Sequence, residues 1–134
     1  MNSAGAALSV VATLLGAGQA EVVAVPLFRF PLWHFCPQCL RLADLEWFGG
    51  PAETVCRACS TPKNPQRLVP ARFIVACEDG HITDFPWYWW VHRGATCINA
   101  ELEISSTGRS TTLASITVKC RKCGREATME KAFD

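Results

Sequence analysis

The sequence predicts a small β-rich protein with a minor helical part: two zinc-ribbon-like units and one short aromatic helix. Three observations carry that expectation. Six of the eight cysteines fall in three C-x-x-C pairs, Cys36/Cys39, Cys56/Cys59 and Cys120/Cys123. Short β-branched or alternating runs recur between turns, as in "RFIVAC" (72–77) and in Leu102 and Ile104 alternating with Glu101 and Glu103. Helix signals concentrate in "DFPWYWWVHRG" (84–94), where Asp84 is a candidate cap, Pro86 suits a first turn and Gly94 is a plausible stop.

With 134 residues, eight prolines and nine glycines, the chain can bury only a thin core. Chains of this size and composition commonly add disulfides or metals. Spacing decides between the two. A C-x-x-C pair closes too short a loop to remove much unfolded-state entropy as a disulfide, but it forms a natural knuckle around Zn²⁺. Repeated pairs therefore point to reduced, metal-bound cysteine and a cytoplasmic protein.

Three segments follow. Residues 1–30 are an apolar N-terminal segment. Within it, "AALSVVATLLGAG" (6–18) resembles a signal-peptide core but lacks the preceding positive charge, since no Lys or Arg occurs before Arg29. It is also too short to span a bilayer, so a strand or short helix against the rest of the chain is expected, and no membrane partner. "EVVAVPLFRF" (21–30) reads as a strand that stops or turns at Pro26. Residues 31–70 hold the first ribbon, broken by Gly49-Gly50-Pro51 and "STPKNPQ". Residues 71–134 hold the second, split unit, with a β-hairpin turning at "SSTGRS" and delivering Ile116, Val118 and Cys120 to the last knuckle. The final "ATMEKAFD" looks like the start of a helix, and the sequence is expected to continue beyond it.

The first ligand set is Cys36, Cys39, Cys56 and Cys59: C-P-Q-C and C-R-A-C separated by sixteen residues, a spacing suited to a four-cysteine ribbon. Four thiolates saturate tetrahedral Zn²⁺, which makes such a site structural. The second set needs two partners for Cys120 and Cys123. Candidates are Cys77, His81 and Cys97, with His92 a weaker fourth. Cys77 ends a strand, and Gly80 lets the chain double back to His81, so the expected set is Cys77, His81, Cys120 and Cys123, with Cys97 the alternative that would displace His81. Two structural zinc ions are thus expected.

No catalytic centre is expected. The sequence lacks H-E-x-x-H, and no H-x-E partners its Pro-Cys-x-x-Cys segments as a zinc deaminase requires. Glu78, Asp79 and Asp84 read as turn and cap residues. The aromatic helix carries more large rings than one face can bury: Trp87, Trp90 and Val91 share one side, Phe85 and Trp89 another. With Arg93, Arg121, Lys122 and Arg125, the residues Trp87, Trp89 and Trp90 form a candidate interaction surface. The formal net charge of +1 lacks the basic footprint usual in nucleic-acid binders, so a protein partner ranks above autonomous DNA or RNA binding.

"RFPLWHFCPQC" (29–39), "ARFIVACEDGHITDFPWYWWVHRG" (71–94) and "LASITVKCRKCGREATMEKAF" (113–133) together resemble the N-terminal region of the DrmB family of the bacterial DISARM anti-phage defence system. That resemblance covers roughly residues 26–134 and implies a non-catalytic partner of a helicase-like protein, engaging phage DNA through the complex. It carries metal ligands over to Cys36, Cys39, Cys56, Cys59, Cys77, His81, Cys120 and Cys123. Members of that family are longer and add a C-terminal helicase-associated domain, and residues 1–20 match nothing in them, so the resemblance leaves a fragment, a split gene product and a degenerate relative all open as readings.

Overall fold

The computed structural model describes residues 7–12, 23–108 and 112–133, without side chains for 7–12 and 23–26. Two N-terminal strands, β1 (Ala7–Ala12) and β2 (Val23–Phe28), pair antiparallel from Ala7 opposite Phe28 to Ala12 opposite Val23. The strand expected to end at Pro26 runs through it, with Pro26 opposite Ser9. Each strand of a two-stranded sheet has a free edge, where a missing N–H costs no ladder bond. The remainder of the expected apolar segment, 1–6 and 13–22, lies outside the described residues.

The body of the molecule is a six-stranded antiparallel sheet in the order β10-β9-β8-β4-β3-β5. Its strands are β3 (Trp33–Phe35), β4 (Arg41–Asp44), β5 (Val69–Pro70), β8 (Leu102–Ser106), β9 (Ile116–Cys120) and β10 (Glu126–Thr128). The expected hairpin is present as β8 and β9, registered from Leu102 opposite Cys120 to Ser106 opposite Ile116. β4 then pairs with β8 through Leu42 opposite Leu102, so the sheet crosses the expected boundary at residues 70 and 71.

Strand alternation splits the interior into two layers. Leu42 faces a cluster formed with Ala71, Phe85, Trp87, Trp90, Val91, Leu102, Ile104, Val118, Cys120 and Met129. Its neighbour Ala43 faces the opposite cluster of Cys36, Leu45, Phe48, Cys56 and Leu68. The second cluster is capped by a one-turn helix α1 (Leu45–Phe48), whose Trp47 N–H is accepted by the Asp44 carboxylate. Two adjacent residues of one central strand therefore serve the two cores.

The aromatic helix is α2 (Trp87–His92). Trp87, Trp90 and Val91 share its buried face as expected, and Phe85 joins them, whereas Tyr88 and Trp89 point outward. Asp84 does not cap α2, which has no side-chain cap at its N-terminus. Instead its carboxylate accepts the N–H groups of Leu32 and Trp33 at 3.1 Å, fastening the start of β3.

The C-terminal segment corrects another expectation. Residues 127–133 of "ATMEKAFD" are not helical: β10 takes Glu126–Thr128, paired with β9 from Lys119 to Thr117, and a turn follows. Met129 is fully buried against the sheet, and Trp90 donates its indole N–H to the Thr128 carbonyl at 3.2 Å. Edge pairing and burial of Met129 override the helical propensity of Met, Glu, Lys and Ala.

The remaining strands, β6 (Ile74–Ala76) and β7 (Ile82–Asp84), form a separate two-stranded sheet. This exposed hairpin carries the turn 77–81. Among the described residues, no helix is long and apolar enough to cross a membrane.

Candidate metal centres

The three C-x-x-C pairs fold into similar turns, each placing two sulfurs on one side of a tight loop. In each, the fourth residue after the first cysteine donates its N–H back to that cysteine's carbonyl: Leu40 to Cys36, Ser60 to Cys56 and Gly124 to Cys120, at 2.8 to 2.9 Å. Gly124 sits at φ +76°, a left-handed conformation that glycine adopts freely. Leu40 takes the same region at φ +63° without that freedom.

Cys36, Cys39, Cys56 and Cys59 meet with all four sulfurs within 4.8 Å of one another. The Cys39 and Cys56 Sγ atoms are 3.9 Å apart. A tetrahedron of 2.3 Å Zn–S bonds has edges of about 3.8 Å, so the set matches a tetrahedral metal. Burial, with added contributions from Cys39, Cys36 and Cys56, pushes the Cys59 thiol up to about 12. Four thiolates cannot share this space without a cation to offset them.

The second cluster gathers His92, Cys97, Cys120 and Cys123, again within 4.8 Å of one another. Cys77 and His81 do not join it. This revises the expected second set: Cys120 and Cys123 keep their place, and Cys97 with His92 stands where Cys77 and His81 were expected. The reason lies in the strands. Among the described residues β6 pairs only with β7, so the Cys77 turn belongs to a hairpin outside the six-stranded sheet whose strand β9 ends at Cys120. Meanwhile α2 ends at His92, Arg93 takes a left-handed conformation at φ +51°, and the chain turns to deliver Cys97.

His92 is set up as a ligand by its own hydrogen bond. Its Nδ1 lies 2.8 Å from the Tyr88 carbonyl, which can only accept, so Nδ1 carries the proton and Nε2 presents a lone pair. That Nε2 is buried with no hydrogen-bond partner among the described residues. Buried polar atoms are rarely left so, and a metal-bound imidazole characteristically donates its other N–H to a carbonyl. His34 offers the contrast. Equally buried, it has both ring nitrogens engaged, by the Leu32 carbonyl and Arg29, and burial pushes its pKa down.

The sulfur geometry agrees. Cys97 and Cys120 Sγ are 3.9 Å apart. Burial opposes ionisation of Cys120, yet backbone groups of Cys123, Glu101 and Lys122 help to outweigh it and bring this thiol down to about 6. Burial and the neighbouring Cys120 and Cys123 push Cys97 up to about 11. Both four-donor clusters thus fit a metal ion that supplies the missing positive charge.

The expected interaction surface is only partly available. Trp87 and Trp90 are 1% and 6% exposed and belong to the core, while Trp89 is 56% exposed and Tyr88 49%. Arg93 lies over the Trp90 ring at 3.8 Å and the Trp89 ring at 5.5 Å. The cations by the last knuckle are paired: Arg121 with Glu103, and Lys122 with Glu101 at 3.1 Å. Arg125 reaches the His92 carbonyl at 3.5 Å. A pocket of about 450 Å³, lined by Tyr88, Trp89, His92, Thr96, Cys97 and Asn99 among others, opens beside the second cluster.

Comparison with known proteins adds a relationship to this geometry. The chain is 34% identical, over 82% of its length, to the DISARM protein DrmB of Bacillus paralicheniformis, and spans 21% of that relative's length. It is a DrmB-related protein. A family match extends over residues 3–134, both four-donor clusters included, and the chain accordingly belongs to the family described as Domain of unknown function (DUF8724).

Proposed function

We propose that the chain is a non-catalytic, zinc-stabilised interaction module of a DISARM-type anti-phage assembly, where it docks on a helicase-like protein and meets DNA through the complex. The observation that carries this reading is the similarity to DrmB over 82% of the chain, taken together with the two four-donor clusters. Thiolate and imidazole donors at tetrahedral spacing favour Zn²⁺. The proposed ligands are Cys36, Cys39, Cys56 and Cys59 for one ion and His92, Cys97, Cys120 and Cys123 for the other. Four protein donors leave no coordination position for a substrate, which assigns both ions to folding rather than chemistry. Reduced, zinc-bound thiolates further suit a cytoplasmic location.

The outward face of α2 supplies the proposed docking residues, Tyr88, Trp89 and Arg93, beside the pocket at His92 and Cys97. Exposed Trp, Tyr and Arg are the residue types enriched where partners bind tightly. Pairing of Arg121 and Lys122 with acids weighs against the chain binding DNA by itself, because those cations are already partly neutralised. The reading is tested by co-purification of the chain with the helicase-like protein of a DISARM system. Retention by the wild type and its loss in Trp89→Ala, with metal content unchanged, are expected. Tight, steeply salt-dependent binding of the isolated chain to DNA, with no retention of the helicase-like protein, would contradict it.

A further inference from the structure

The turn at 77–81 contains a third group of metal donors, separate from both four-donor clusters. Cys77, Asp79 and His81 bring a thiol, a carboxylate and an imidazole within 4.8 Å of one another. The turn is tighter than the C-x-x-C knuckles: Cys77 donates its N–H to the His81 carbonyl and Gly80 donates to the Cys77 carbonyl, both at 3.0 Å. Gly80 holds φ +82°, which lets five residues reverse the chain. Cys77 and His81 thereby become the closing pair of the β6–β7 hairpin, with their side chains adjacent. The Cys77 Sγ and His81 Nδ1 atoms are 3.3 Å apart. A tetrahedral Zn²⁺ with ordinary Zn–S and Zn–N bonds would set them about 3.6 Å apart, a difference of a few tenths of an ångström.

We propose that Cys77, Asp79 and His81 form a third metal site that takes Zn²⁺ through three protein ligands, with the fourth position open to water. The donor set argues for this metal: thiolate and imidazole disfavour Mg²⁺ and Ca²⁺, while one thiolate, one imidazole and one carboxylate are all ordinary zinc ligands. All three residues are exposed at the end of a two-stranded hairpin, so the ion exchanges with solvent without unfolding the core. In this it differs from the two closed clusters, whose sulfurs include the fully buried Cys36 and Cys120. Binding replaces the Cys77 S–H proton by the metal and releases that proton to solvent. The site does not depend on the proposed role in defence, nor on occupancy of the other two clusters.

The test is a calorimetric titration of the folded chain with Zn²⁺ after its tightly held metal has been measured, repeated with Co²⁺ and followed by absorbance. Expected is one further equivalent, with a thiolate-to-cobalt charge-transfer band. Cys77→Ser and His81→Ala should each abolish that equivalent and leave the tightly held metal and the melting temperature unchanged, and Asp79→Asn should weaken it. A titration with no further equivalent, or one that persists in both Cys77→Ser and His81→Ala, overturns the proposal. A failure of the closed clusters would show separately, as a shortfall of tightly held metal before the titration starts.

Discussion

The carboxylate of Asp84 accepts N–H groups from two residues more than fifty positions earlier, and it does so at the point where β7 gives way to α2. Removing it leaves two part-buried backbone donors without that acceptor, a loss of about 1–3 kcal/mol at most. Asp84→Ala should therefore lower the denaturation midpoint clearly, with no change in metal content. The neighbouring tryptophans separate packing from display just as sharply. Trp87→Ala empties a site that is 1% exposed and should cost about 3–5 kcal/mol. Trp89→Ala removes a ring that is 56% exposed and should alter stability by about 0.5 kcal/mol or less. Chemical denaturation of the two variants side by side checks the contrast.

At the scale of elements, the second four-donor cluster is assembled by the last turn of α2, the loop after it and the end of β9. Cys97→Ser should remove one tightly held ion per chain, whereas Cys77→Ser should keep both, as metal analysis after gel filtration will show. The first cluster was fully legible in the sequence, because its four cysteines sit on two local knuckles joined by one short segment. The second was half legible. Cys120 and Cys123 announce themselves by spacing, but their partners are chosen by how α2 terminates and by which strand β6 pairs with, and neither is encoded in spacing. The Cys77 turn resembled a knuckle because Cys and His flank a glycine turn, yet its hydrogen bonds close one residue earlier than those of the C-x-x-C loops. Similarly, the β8–β9 hairpin was readable from alternation, whereas β10 was hidden under residues with helical propensity and set by pairing to β9.

Across the whole molecule, one sheet ties the two four-donor units together. β4 lies between β3 of the first unit and β8 of the second, and its Leu42 and Ala43 feed opposite cores. The expected division at residue 70 therefore falls inside a shared sheet, and a fragment of residues 1–70 should fail to give a dispersed amide spectrum even with zinc added. Small chains reach stability by such coupling, since binding free energy of about 10–16 kcal/mol for a structural zinc is comparable with the whole stability of a domain. Two closed metal centres are proposed to hold this fold. Metal analysis of the purified chain, followed by circular dichroism during titration with a strong chelator, tests this most directly. Two tightly held zinc ions per chain, lost together with the β-sheet signal, are predicted. A chain that gives up its metal and keeps its structure, or that holds fewer than two ions when folded, would contradict the claim.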